Sequence, residues 1–309
     1  MTPLRVGVWF DVSHCSYGGP TAVLLGALLG LKQLRDDLVL VLNEPGDVNW
    51  SLTGGEALRD LAPRAPRLVV GPMALTLEDG EKDAYGENPV WKYTADANVV
   101  VPTEWVRQFI RFAMPYGSPD GGSRRLSLWA AGVDTDFYSP GTATGAEKTQ
   151  DYFIYYKSQR SADLRRLQTL LFTSFFQLRG SVLFYYCYTP EMLRAAARAS
   201  RFCIVLDKTE TQGLAMLEIM ACDCPLFIVD NTKYEGTRIG LNGASSCPCW
   251  SDRCGVKTSW ETAEKDLTAF LPSLEKEKGT YTPRAFVEST YSYKAAASSL
   301  LQLLLAETA

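Results

Sequence analysis

Two acidic side chains in one short stretch, Glu210 and Glu218, form the sharpest chemical feature of the chain. They sit in the run Asp207-Lys208-Thr209-Glu210-Thr211-Gln212-Gly213-Leu214-Ala215-Met216-Leu217-Glu218. The spacing is about two helical turns, so both can face the same side of a helix and its leading loop. Gly213 stands at the mouth of that helix, where backbone N–H groups and the helix dipole attract anions, phosphate above all. Carboxylates flanking such a site can accept hydrogen bonds from sugar hydroxyls. The competing reading is a pair of solvent-facing glutamates. Lys157 and Arg160 stand just past a strand, where the plain reading is two solvated charges. The single histidine, His14, excludes multi-histidine metal sites and HExxH zinc sites by count. It precedes Gly18-Gly19, which allow close backbone approach. His14 could bond a ligand or be satisfied by its own loop. Asp11 and Asp134 stand at strand ends, and Arg107, Arg111, Arg124 and Arg125 gather basic charge.

The elements that must hold these residues alternate. Leu4–Phe10, Leu38–Leu42, Arg67–Val70, Asn98–Val101 and Leu126–Ala130 read as strands. Between them come Thr21–Leu34, a short piece at Glu56–Leu61, and a helix opened at Thr103-Glu104 and running to Ala113. Ser139–Gln150 is rich in Gly, Thr and Ser, lacks large apolar residues and reads as a linker. Strands at Tyr152–Tyr156, Val182–Cys187, Phe202–Leu206 and Leu226–Val229 then alternate with helices at Ala162–Gln177, Pro190–Ala199 and Gln212–Ala221. Near-continuous apolar strands between helices imply parallel sheets covered on both faces. The expectation is α/β, with two doubly wound Rossmann-like domains facing a cleft. The first covers 1–140 on the acceptor side and the second 151–290 on the nucleotide side. A C-terminal helix, 291–309, is free to pack back on the first.

Composition sets the outer bounds. A chain of 309 residues, 46% hydrophobic and 21% charged, is globular and long enough to bury a large core without staples. A net charge of −4 argues against general nucleic-acid affinity. The N-terminal residues do not read as a signal peptide, and no stretch reads as a transmembrane segment, so a cytoplasmic location is expected. The eight cysteines read as reduced, with Cys187 and Cys203 inside apolar strands. Cys247, Cys249 and Cys254 lack the usual zinc spacing, although Cys222 or Cys224 could add a fourth ligand. The aromatic run Phe175–Tyr188 reads as core packing.

The run T-E-T-Q-G-L-A-M-L-E-I-M-A-C-D-C-P resembles the E-x7-E segment of retaining glycosyltransferases of the GT-B fold, in particular the family-four-like group. V-G-V-W-F-D with S-Y-G-G-P-T, V-P-T-E-W-V-R-Q-F, L-W-A-A-G-V-D-T-D-F-Y-S-P and I-Y-Y-K-S-Q-R resemble further segments of that group in the same order. The chain departs from it in being short and in carrying Tyr156-Lys157-Ser158 where a glycine is usual. The resemblance implies transfer of a hexosyl or pentosyl group, with retention, from a nucleoside diphosphate sugar to an acceptor hydroxyl. It places Glu210 on the transferred sugar and Glu218 on the nucleotide ribose. Lys157 and Arg160 would hold the diphosphate, with backbone amides around Gln212, Gly213 and Leu214 helping. Gly18 and Gly19 would approach the donor from the first domain, with His14 at the reacting centre. Asp11, Asp134 and Arg107 are acceptor-side candidates. No cofactor or metal is expected, and the partners are the nucleotide-sugar and a glycan or glycolipid acceptor. Two alternatives are a phage-type enzyme acting on hydroxymethylated DNA and a non-catalytic nucleotide-sugar-binding module; an epimerase on the same fold is a third.

Overall fold

The computed structural model describes residues 3–10, 19–53, 67–73, 97–113, 126–141, 148–157, 160–235, 240–275 and 280–306. The expected helical piece at Glu56–Leu61, and the candidates Asp11, His14 and Gly18, lie outside the described residues. The chain divides into two compact units. The first comprises residues 1–132, 235–241 and 291–309, and the second 133–234 and 242–290.

The first unit is built on a six-stranded sheet with β1 (Leu4–Trp9), β2 (Leu38–Leu42), β3 (Val48–Thr53), β4 (Leu68–Met73), β5 (Asn98–Val101) and β6 (Leu126–Leu128). The order is β2-β1-β3-β4-β5-β6 and every pairing is parallel. Val6, Val8, Trp50, Leu52, Val69, Val70 and Val99–Val101 are buried along it, as a sheet covered on both faces requires. The strand β3 was not expected from the sequence. V-N-W-S-L-T alternates apolar with polar residues, yet Asn49 and Ser51 are fully buried. Their polar groups are met at once. Asn49 Oδ1 accepts the Gly46 N–H at 3.0 Å and the Ser51 hydroxyl donates to the Thr53 carbonyl at 2.7 Å. Burial of polar side chains is tolerable because those bonds replace water.

Helix α1 (Gly19–Leu34) begins two residues earlier than the sequence suggests. Helix α2 (Glu104–Ala113) runs over the expected residues, and the Thr103 carbonyl accepts from Arg107 N at 3.0 Å. The C-terminal helix Tyr293–Ala306, which is α8 in chain order, packs closely on α1. Gly26 and Gly30 make that approach possible. A Cβ at Gly30 would press on the Tyr293 carbonyl and come within 2.7 Å of the Ala297 Cβ.

The second unit carries β7 (Gln150–Tyr156), α3 (Ser161–Ser174), β8 (Gly180–Phe184), α4 (Pro190–Ala199), β9 (Ser200–Leu206), α5 (Leu214–Ala221) and β10 (Leu226–Val229). A small pair, β11 (Lys233–Glu235) and β12 (Gly240–Asn242), precedes a 3-10 turn at Asp252–Cys254. Then come β13 (Gly255–Thr258), α6 (Ala263–Glu275) and α7 (Pro283–Thr290). The sheet order is β13-β10-β9-β7-β8, all parallel. The sequence marks no element between Val229 and Tyr291; the strands there are only three or four residues long, and α6, interrupted by Pro272, and α7 are helices that it does not announce. The core joins Ile154, Leu167, Leu171, Phe202, Ile204, Phe227, Leu267 and Phe270. Thr189 caps α4 by accepting from Met192 N, with Pro190 in the first turn. By packing, 133–138 belongs with this unit, ahead of the polar stretch read as a linker.

Cys187 departs from expectation. It lies past the end of β8 and is exposed, because the strand stops at Phe184. Cys203, Cys222, Cys224, Cys247, Cys249 and Cys254 are buried and in no disulfide. Among the described residues no group of three or more histidine, cysteine, aspartate or glutamate side chains is arranged to hold a metal ion. No described helix is long and apolar enough to cross a membrane.

Replacing Gly30 by alanine improves intrinsic helix propensity by about 1 kcal/mol but forces α1 and α8 apart. The expected net result is a loss of about 1–3 kcal/mol, typical of overpacking, seen as a lower urea midpoint at unchanged slope.

Candidate functional site

Strand order selects one place in the second unit. The chain runs from β7 outward to β8, then crosses back to β9 on the other side of β7. Ligands of doubly wound sheets bind outside the carboxyl ends of the two strands where the order reverses. Those ends are Tyr156 and Leu206. The Lys157 amide donates to the Leu206 carbonyl at 3.0 Å, so the ladder continues one residue beyond β7 and fixes where the lysine side chain begins.

Lys157 Nζ forms an ion pair with Glu210 Oε1, the side chains being 28% and 12% exposed. The Tyr185 ring lies 4.6 Å from the same ammonium. Burial alone would lower the lysine pKa, but its acidic neighbours, Glu210 foremost, outweigh it and the pKa is raised. Lys157 therefore stays cationic, and the carboxylate it holds is oriented.

The loop bearing Glu210 is sewn to a second segment. The Glu210 amide donates to the Ser245 carbonyl at 2.9 Å. The Ser246 hydroxyl lies 3.1 Å from the Asp207 carbonyl, nearer still to the Lys208 carbonyl, and accepts the Asn231 N–H at 3.0 Å. Asp230 Oδ1 takes the Ser246 N–H at 2.7 Å and the Ser245 hydroxyl at 2.9 Å. Lys257 neutralises Asp230 at 3.4 Å and donates to Ser245 Oγ at 2.7 Å. This network holds 207–210 in place without a regular element.

Gly213 then caps α5 with φ of 81°, a left-handed conformation that a side chain would strain. A Cβ there would also come within 2.7 Å of the Met216 Cε and 3.7 Å of the Glu210 Cβ. The Glu210 stem thus lies against the start of α5, beside the backbone of its first turn. Gln212 is buried and Leu214 is the first helical residue.

Glu218 follows one turn further along α5 and is half-buried. Its partner is the Tyr138 hydroxyl. Arg284 holds Tyr138 there, donating to the carbonyls of Tyr138 at 3.1 Å, Thr135 at 3.2 Å and Ala221 at 2.7 Å. A cation on the last carbonyls of α5 also suits the helix dipole. Burial pushes the Glu218 carboxyl up to about 7, against the hydrogen bond from Tyr138. The Tyr188 hydroxyl, 3.4 Å from that of Tyr155, experiences the charges of both Glu218 and Lys157 and links the two ends of the site. Burial raises the Tyr188 phenol to about 12 and the Tyr155 phenol further, so both stay protonated as donors.

The structure thus brings together Lys157, Glu210, Gln212, Gly213, Leu214 and Glu218. Arg160 is exposed at the residue preceding α3, three positions after Lys157. Gly19 opens α1 in the first unit. Asp134 has its carboxylate engaged in a turn, accepting from Asp136 N at 3.0 Å and Phe137 N at 2.8 Å. Arg107 pairs with Glu104 at 2.5 Å on α2. Sequence reasoning missed Asp207, Tyr138, Tyr185, Tyr188 and the Ser245-Ser246 clamp. Asp207 ends a strand, the same signal that drew attention to Asp11. The aromatic run read as core is only partly so: Phe176, past the end of α3, is 80% exposed and Tyr186, past the end of β8, is 88% exposed.

No family model matches the sequence, and no curated protein matches it. Solved structures do match in fold. The lipopolysaccharide outer core galactosyltransferase WaaB aligns with a TM-score of 0.58 and 9% identity, over 98% of this chain and 99% of that one. Sucrose-phosphate synthase from Thermosynechococcus elongatus aligns with 0.54 and 12%, over 97% and 98%. The N-terminal domain of trehalose-6-phosphate phosphatase from Candida albicans aligns with 0.51 and 9%, over 100% and 98%. The likeness is one of fold: both units are Rossmann-like, as the GT-B resemblance of the sequence implies.

The raised Glu218 carboxyl has a thermodynamic consequence. The folded chain binds its proton more tightly than the unfolded chain, so the associated stability is full below about pH 4.5 and is lost as pH rises through about 7. Glu218→Gln removes that loss. Urea titrations at several pH values should show the variant gaining about 1–3 kcal/mol relative to the parent between acid and mildly alkaline pH.

Proposed function

We propose that this chain is a retaining glycosyltransferase that moves a sugar from a nucleoside diphosphate sugar to a hydroxyl of a glycan or glycolipid. The observation that carries the reading is the Lys157–Glu210 pair beside the first turn of α5, at the point where the strand order reverses. A leaving diphosphate accumulates negative charge as the glycosidic bond breaks. A lysine held cationic, Arg160 at the start of α3 and the free N–H groups of α5 supply preorganised positive charge for it. The same electrostatics serve without a divalent metal. Positive charge develops meanwhile on the anomeric carbon and ring oxygen of the sugar. The Glu210 carboxylate, anchored by Lys157, faces that charge and accepts from sugar hydroxyls. Glu218 receives the ribose hydroxyls further along α5. Backbone amides at Gln212, Gly213 and Leu214 complete the diphosphate cradle. The resemblance assigns Gly18, Gly19 and His14 to the donor, and Asp11, Asp134 and Arg107 to the acceptor. The names of two similar folds, a lipopolysaccharide galactosyltransferase and a sucrose-phosphate synthase, support the class of reaction.

A thermal-shift screen against UDP-, GDP-, ADP- and dTDP-sugars, run in EDTA, identifies the donor, because a ligand bound only by the folded state raises its melting temperature. Transfer to an acceptor should persist in EDTA; strict dependence on added magnesium or manganese would overturn the metal-free reading. Glu210→Ala should reduce turnover by about 100-fold or more while circular dichroism stays native, the scale of losing one preorganised electrostatic group. Lys157→Ala and Arg160→Ala should each weaken donor binding by roughly 1.5–3 kcal/mol, the worth of a charge-assisted hydrogen bond. Unchanged donor affinity in calorimetry would remove them from the diphosphate site.

A further inference from the structure

Asp207 follows the last residue of β9 and stands three positions before Glu210. Its Oδ1 accepts the Lys208 amide at 2.7 Å. Its Oδ2 is buried and meets no donor. What the Asp207 side chain faces is the Glu210 carboxylate, while Lys157 is already engaged with Glu210 Oε1. Two acceptors turned toward one another out of water cannot both be ionised without a large cost. One proton between them removes the conflict and converts an unmatched oxygen into a donor.

We propose that Asp207 is a positioning residue that keeps its proton at neutral pH and donates it from Oδ2 to the Glu210 carboxylate, holding Glu210 on one side while Lys157 holds it on the other. The charges then balance: one carboxylate, one carboxylic acid and one ammonium sum to zero. Loss of the proton would leave a net negative charge in a largely dry place.

The surroundings agree. From β7 come Lys157 and the protonated Tyr155 phenol; from the loop comes Glu210; from its own chain comes the Lys208 amide. The 245–246 segment contributes an uncharged hydroxyl, from Ser246 to the Asp207 carbonyl. Burial, then the Glu210 charge, push the Asp207 carboxyl up to about 8, against the pull of Lys157 and the Lys208 amide. The folded state therefore holds this proton where the unfolded chain has released it. The associated stability is complete below the ordinary aspartate value and is lost as pH rises through about 8. Its consequence for catalysis rests on the glycosyl-transfer reading above: ionised Asp207 repels Glu210 from the start of α5, and turnover falls on the alkaline side.

The test uses the full chain and two independent readouts. Infrared spectra of protein carrying carbon-13-labelled aspartate should show a protonated carboxyl band at neutral pH that disappears above about pH 9 and is absent in Asp207→Asn. Urea unfolding at about pH 5 and pH 8.5 should show the equilibrium of D207N shifting toward the folded state, relative to the parent, by at least tenfold between those pH values. A constant ratio with no such band overturns the proposal. For transfer, D207N keeps an N–H donor and should retain most of the neutral-pH rate with its alkaline limb flattened, whereas Asp207→Ala should lose at least tenfold. If D207A turns over as fast as the parent, the positioning role is refuted even where the band is present. If the parent transfers no sugar at all, the functional reading fails, while the infrared band still decides where the proton lies.

Discussion

The site depends on one buried electrostatic problem: how to present a carboxylate beside a helix N-terminus without losing it to a neighbour. Lys157 solves it by anchoring Glu210, and the anchor is itself fixed by the backbone ladder between Lys157 and Leu206. A pair of partly buried ions is a poor source of stability, because desolvation offsets much of the attraction. Its value here is orientation. The pair sits at the carboxyl ends of β7 and β9, where diverging connections leave helix termini and loop amides facing outward.

The loop that carries Glu210 lies outside any regular element, and other parts of the second unit hold it. Ser245, Ser246, Asp230 and Lys257 form a chain of contacts from β13 to the ends of β9 and β10. On the other side, Arg284 from α7 gathers carbonyls of Thr135, Tyr138 and Ala221, which sets the Tyr138 hydroxyl on Glu218. Elements remote in sequence, 133–138 and 280–290, therefore govern a carboxylate on α5. Tyr155 and Tyr188 tie the two halves together through protonated phenols. Fully satisfied polar networks of this kind specify one geometry, where an apolar filling would tolerate several.

Much of the fold was legible along the chain. The strands Leu38–Leu42, Asn98–Val101 and Leu226–Val229 stand at the residues the apolar runs marked, and α4 follows from Thr189-Pro190. Continuous apolar runs identify the strands, Asn98–Val101 and Leu226–Val229 being buried throughout and the edge strand Leu38–Leu42 only partly, and caps identify helix starts. The failures share a cause. The strand β3 buries Asn49 and Ser51, which read as surface residues until their local partners are known. β11, β12 and β13 are too short to show a period. Cys187 and Tyr186 looked buried because an aromatic run conceals where β8 stops.

By itself the sequence determined the alternating α/β architecture, the glycine at the mouth of α5 and the spacing of Glu210 and Glu218, because hydrophobic period, turn chemistry and helical pitch are local properties. It also named Lys157. Only the tertiary structure decided that Lys157 reaches Glu210 across fifty-three residues, that Glu218 answers to Tyr138, and that Asp207 confronts Glu210 with its Oδ2 buried and unmatched. Those outcomes depend on which strands become neighbours and how much water they exclude, and strand order and desolvation are set by the packed chain as a whole.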